Sequence, residues 1–212
     1  MNIYQANDQF IMTLMTNAIL YSGGLRTWNI CKANQEQLII KPNSDLYFFT
    51  DEQPDVSNMT VGIKQWIKAI VNPYRNDLRH VFNTNRRPES EPSAGLNQMH
   101  NNFIGFSIVP NNYEVIIKSR TDIKISEAIN YEDYDYTDTK IYIPTGNDYC
   151  GINDQFAWGN YPAMKVYFYV YMEMMNIFNS GVMYNPEIFQ KANLERAGME
   201  VIRTKHNVEI IR

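Results

Sequence analysis

Apolar residues in this 212-residue chain gather in short continuous runs, separated by polar stretches that carry glycine, proline or asparagine. The most informative run is Val115-Ile116-Ile117, preceded by Asn-Asn and followed by polar residues. A strand buried on both faces reads this way, and such strands belong mainly to parallel or mixed sheets covered by helices. Ala18 to Tyr21 reads as a first strand, Leu46 to Thr50 as a second that ends at Asp51, and Ile141 to Pro144 as another. Helical spacing is predicted from Leu25 onward through Trp28, Cys31, Leu38 and Ile39. It is also predicted over 61–71, on Ile63, Trp66, Ile67 and Ile70, and over 96–106. A longer helix over 163–179 places Met164, Tyr167, Phe168, Tyr171, Met172, Met175 and Phe178 at spacings of three and four, a stripe read as core. Residues 186–197 form a helix stopped by Gly198, and 199–211 close the chain with one or two strands. The polar stretch 83–95 is predicted to be mobile, and the acidic, tyrosine-rich 129–139 a surface loop. Strands alternating with helices predict an α/β sandwich around a mostly parallel, mixed central sheet.

Composition narrows the class. The length suits one domain over 1–212, with 1–17 as an N-terminal extension. Hydrophobic content of 44% and charged content of 20% are those of an ordinary globular protein. No apolar run approaches the ~20 residues a membrane span needs. The first 15 residues lack a basic start before an apolar block, which argues against a cleaved signal. A net charge of −4 argues against a nucleic-acid partner. The two cysteines, Cys31 and Cys150, fit free thiols in a cytoplasmic protein. Abundant asparagine and tyrosine fit an AT-rich genome, that of a large virus or a low-GC bacterium; in the viral case the cytoplasm would be the host's.

Candidate chemistry lies at the ends of the runs. The central strand ends on Arg120 and Asp122, and in open α/β sheets ligands bind at that edge. The first strand is followed by the Ser22-Gly23-Gly24 turn, a helix start and Arg26, a half-unit suited to an anionic group. Neither GxxxxGK[ST] nor GxGxxG is present, so this is not a standard nucleotide loop. Asp154 and Gln155 sit in a polar loop entering the long helix, where Asp154 reads equally well as a capping residue.

In order, the motifs comprise I-x-x-S-G-x-x-R-T at Ile19 to Thr27 and P-x-x-D-x-Y/F-F at Pro42 to Phe49. V-I-x-x-R-x-D follows in the strand Val115 to Asp122, with Ile116-Ile117 in its first two positions, and N-D-Q-F-A-x-G at Asn153 to Gly159 with M-x-x-Y in the helix after it. From about Ala18 to the C-terminus the chain resembles small nucleotide-sugar-dependent glycosyltransferases of the GT-A fold. Such enzymes are found in lipopolysaccharide-synthesis clusters and in large DNA viruses.

The resemblance implies a nucleotide diphosphate sugar donor, a glycan acceptor and a divalent cation, Mn2+ or Mg2+. In that family an Asp-x-Asp motif holds the ion. Here its first position is Arg120, which puts metal dependence in question. Asp122 remains as a metal ligand and His206 is the candidate second one. Asp154 takes the place of the acceptor-activating base, or of a sugar-holding residue in a retaining enzyme. Ser22, Gly23, Arg26 and Arg120 are the candidate donor contacts. Thr50, Asp51, Gln98 and Asn102 are candidates for the base, the ribose or the same pocket, and Trp158 for stacking on an acceptor sugar. A sugar-1-phosphate nucleotidyltransferase and a non-catalytic nucleotide- or glycan-binding module are the alternatives.

Overall fold

A computed structural model describes residues 15–69 and 93–212. The strands are β1 (Asn17–Gly23), β2 (Ser44–Thr50), β3 (Ile63–Lys68), β4 (Val115–Ser119), β5 (Ile123–Ile125), β6 (Lys140–Pro144), β7 (Phe156–Gly159), β8 (Glu200–Thr204) and β9 (Val208–Ile210). The helices are α1 (Trp28–Leu38), α2 (Ser93–Phe106), α3 (Tyr161–Phe168), α4 (Val170–Asn179) and α5 (Pro186–Arg196). Seven strands make the central sheet in the order β3-β2-β1-β4-β7-β6-β8, and β5 and β9 pair separately. All neighbours are parallel except β7, which runs antiparallel to both β4 and β6. The predicted fold class, helices around a mostly parallel mixed sheet, is the one observed.

Alternation along the strands sends side chains into two core layers. Ile19, Tyr21, Phe48 and Ile117 pack with Trp28 of α1 on one face. Ala18, Leu20, Ile116 and Ile143 pack with Phe106 of α2 and Met164 of α3 on the other. A smaller cluster ties α2, α4 and α5 together through Leu96, Met174, Ile177 and Phe189. All of β4 is buried, as its continuous apolar run requires.

Several sequence expectations need correction. The helix predicted over 61–71 is the edge strand β3 as far as it is described. A register shift opposite Leu46 and Tyr47 inserts an extra residue, so Ile63 and Trp66, three apart, reach the same core. A bulged strand therefore imitates helical spacing. The first helix starts at Trp28 rather than Leu25, and α2 starts at Ser93, inside the stretch predicted to be mobile. The rest of that stretch, 83–92, lies outside the described residues, as do 1–14. Asn17 already belongs to β1, which shortens the expected extension.

The loop expected before the long helix contains β7, and that helix is broken at Tyr169 into α3 and α4. Met172 is accordingly 57% exposed, while Met174 and Ile177 turn inward. Residues 129–139 are not simply a surface loop. Ile129 and Tyr131 are buried, and Tyr134 and Tyr142 set their rings 5.3 and 5.7 Å from that of Trp158.

Candidate active site

The carboxyl ends of β1, β2, β4 and β6 share one sheet edge, and most of the predicted site residues meet there. At the end of β4 successive side chains diverge. Ser119 faces α1, where its hydroxyl donates to Gln35 Oε1 at 3.2 Å. Gln35, fully buried, uses its Nε2 to donate to the carbonyls of Arg120 and Ile123, both at 3.0 Å. The backbone that carries Arg120 is thereby pinned from behind.

Arg120 donates from Nε and Nη2 to the two oxygens of Asp122, each at 2.7 Å. Its Nη1 donates to Gln98 Oε1 at 3.1 Å, and Gln98 Nε2 donates to Asp154 Oδ2 at 2.6 Å. A chain thus runs Asp122–Arg120–Gln98–Asp154 across the sheet edge. The other Asp154 oxygen, Oδ1, has no hydrogen-bond partner among the described residues. On the same side Lys118, with no exposed surface, donates its ammonium to the Asp154 carbonyl.

Electrostatics follow from this packing. Burial alone would lower the Arg120 pKa and raise that of Asp122, but their bidentate contact outweighs it in both. Arg120 is held above its ordinary value and Asp122 below. Burial pushes Lys118 down to about 7, although the nearby Asp154 charge opposes the shift. Glu187, in the first turn of α5, is pushed up to about 7 by burial and then by Asp154.

The Lys118 shift has a testable consequence. Between about 7 and 10.5 the unfolded chain binds a proton that the folded chain has released, so stability rises with pH across that window. Lys118→Met has no such group. Chemical denaturation at pH 7, 8 and 9 should show wild type gaining on Lys118→Met by up to about 1.4 kcal/mol per pH unit. A constant difference would mean that Lys118 titrates normally.

The remaining predicted residues divide into two sets. Ser22 donates its hydroxyl to Asn102 Oδ1, which ties the turn after β1 to α2. Gly23, at φ +113°, makes that turn possible. Asp51 Oδ1 accepts from Leu25 N at 3.2 Å, and Thr121 Oγ1 donates to the Gly24 carbonyl. The turn and the β4 end are therefore in direct contact. Arg26 is exposed beside them, with no ion pair among the described residues. Thr50 is fully buried, with its hydroxyl between the Glu52 carbonyl and Trp66 Nε1, so it does not offer the hydroxyl expected for a ligand.

Trp158 is fully buried and cannot stack on a sugar, because its strand lies inside the sheet rather than in a loop. Nor does Asp154 cap a helix. Asn160 caps α3 by accepting from Ala163 N at 3.0 Å.

His206 is buried against the Trp158 ring, and its Nδ1 lies 3.2 Å from Thr204 Oγ1. Burial lowers its pKa. It precedes the Val208 end of the β5–β9 pair, whereas Asp122 precedes the Ile123 end, so the two lie beyond opposite ends of that ribbon. No three carboxylate, imidazole or thiol groups converge on one point among the described residues. With both Asp122 oxygens on Arg120 and His206 at the far end, the predicted donors do not fit a shared divalent cation as arranged.

Sequence reasoning missed Lys118, Glu187 and Gln35. Lys118 directly follows the apolar run, where it reads as the start of the polar strand end rather than as a buried group. Nothing local to the other two indicates that they converge on this edge.

No family model matches the sequence, and no curated protein matches it. Among solved structures, the chain is similar to the galactosyltransferase LgtC in complex with donor and acceptor sugar analogues. Identity is 9%, the match covers 87% of this chain and 72% of that one, and the TM-score is 0.56. At that identity the likeness shows the fold, a GT-A-like α/β architecture.

Proposed function

We propose that this protein is a glycosyltransferase that moves a sugar from a nucleotide diphosphate sugar to a glycan acceptor. The observation that carries the reading is the Asp154 carboxylate. One of its oxygens is held by Gln98 and the other has no partner among the described residues, on the same edge as the Arg120 guanidinium. The fold is shared with LgtC, whose structure holds donor and acceptor sugar analogues.

In this reading the acceptor hydroxyl attacks the anomeric carbon and passes its proton to Asp154 Oδ1. The bond from that carbon to the diphosphate breaks, and the electron pair leaves with the phosphate oxygen. Arg120 still has N–H groups beyond those on Asp122 and Gln98, and exposed Arg26 adds a second guanidinium for the leaving charge. Asp51 Oδ2 faces the turn, where it can accept from a ribose hydroxyl. No step is routed through a divalent cation, because the donor set does not fit one as it stands.

Calorimetry with a panel of nucleotide sugars, in Mn2+ and in EDTA, tests the reading. One or more diphosphate sugars should bind, and binding should persist in EDTA because Arg120 already holds Asp122. Preference for a nucleoside triphosphate would favour the nucleotidyltransferase alternative. Binding that needs Mn2+ would mean the ion displaces Arg120 from Asp122.

A further inference from the structure

The loop between β6 and β7 holds the most unusual backbone among the described residues. Their three non-glycine residues with positive φ all lie in it: Asn147 at 55°, Tyr149 at 42° and Cys150 at 69°. Gly146, at 86°, adds a fourth left-handed position. Asparagine and glycine tolerate this conformation, but tyrosine and cysteine do so only when their surroundings impose it.

The surroundings do impose it. Asn153 Nδ2 donates to the Gly146 carbonyl at 3.0 Å, and Asn153 N donates to Asp148 Oδ1 at 2.9 Å. Asp148 Oδ1 also accepts from Arg203 Nη2 at 2.7 Å. Asn147 Nδ2 donates to the Val208 carbonyl at 2.8 Å. At the far side Ile152 N donates to the Glu187 carbonyl at 3.0 Å, and a Cβ on Gly151 would lie 2.0 Å from Glu187 C. These anchors fix both arms of the loop and leave Tyr149 and Cys150 exposed at its tip. There Tyr149 stands 58% exposed, on the same sheet edge as Asp154 and five residues before it.

A singly exposed aromatic is unremarkable on a protein surface. One held out on strained backbone by five anchors is not, since relaxing that strain would only require a glycine. We infer that the Tyr149 ring is a preformed platform for the acceptor, stacking on the C–H face of one pyranose ring. The inference rests on the glycosyltransferase reading and adds the residue that selects a sugar ring as acceptor. An aromatic ring suits that partner because a pyranose is apolar on its axial C–H face and polar at its rim. Fixing the loop in advance spares the ordering cost at binding.

The test compares wild type with Tyr149→Ala, Tyr149→Phe, Tyr149→Trp and Tyr149→Gly. The probes are methyl glycosides and lactose as acceptors, with the donor found by calorimetry. Tyr149→Ala should raise the acceptor KM about tenfold or more, with donor KM and donor hydrolysis unchanged. Phe and Trp should keep the wild-type acceptor KM. Tyr149→Gly should lose acceptor affinity like Ala while melting at a higher temperature, because it releases the left-handed strain.

An unchanged acceptor KM in Tyr149→Ala, alongside working wild-type transfer, would overturn the platform. So would a Phe variant as poor as Ala, which would point to the hydroxyl instead. Wild type that binds no nucleotide sugar and transfers none would overturn the glycosyltransferase reading itself.

Discussion

Asp154→Asn should keep donor affinity within a few-fold and lose about 10²–10⁴-fold in the rate of transfer to the acceptor. The amide can still accept from Gln98 Nε2, and the Asp154 carbonyl that receives Lys118 is untouched. The fold and the proposed donor contacts should therefore survive, while the oxygen proposed to take the acceptor proton is gone. Donor titration by calorimetry and single-turnover transfer separate the two effects. Equal loss of donor binding and turnover would indicate a sugar-holding role, as expected for a retaining enzyme. Glu187→Gln is the companion variant, because Glu187 is pushed up to about 7 beside Asp154. If Asp154→Asn transfers normally and Glu187→Gln does not, the base is Glu187.

Arg120→Met should destabilise the protein by about 3–5 kcal/mol near neutral pH, because it strands the Asp122 carboxylate with 10% of its side chain exposed. For a chain of this size that corresponds to a fall of roughly 6–20 °C in melting temperature. The double variant Arg120→Met/Asp122→Asn should recover most of that loss, since no buried charge is left unpaired. The sign with pH is fixed by Asp122, whose pKa the pair holds below the ordinary carboxylate value. The stabilisation is in place above that ordinary value and is lost as pH falls through the lowered one. Donor affinity should fall in both variants, because neither has the guanidinium. A double variant that regains both stability and donor affinity would show that Arg120 serves only to neutralise Asp122.

The sheet was legible in the sequence wherever a strand is buried on both faces. The apolar runs of β1, β2, β4 and β6 admit few other readings, and the glycine turn after β1 falls where its φ requires it. Legibility failed where side chains serve two purposes. In β3 a bulge gave strand residues helical spacing. In β7 the four residues Phe-Ala-Trp-Gly are too few to reveal an antiparallel strand inserted among parallel ones. The tyrosines of 129–139 alternate with acids and so read as surface, yet their rings enclose Trp158.

At the site, Arg120, Asp122, Gln98 and Asp154 were all named from sequence, and the structure connects them. The chain of hydrogen bonds between them was not readable, because Gln98 lies on a helix and Asp154 in a loop 56 residues later. For the same reason the sequence could not show that Arg120 occupies both oxygens of the one motif carboxylate.

Whether this edge transfers a sugar is decided by product formation. Wild-type protein incubated with the bound nucleotide sugar and a panel of glycan acceptors should yield, by mass spectrometry, an acceptor heavier by one sugar residue. Nucleoside diphosphate should be released in equal amount. Tight binding of the nucleotide sugar with no sugar appearing on any acceptor or in water would contradict sugar transfer and leave a binding module.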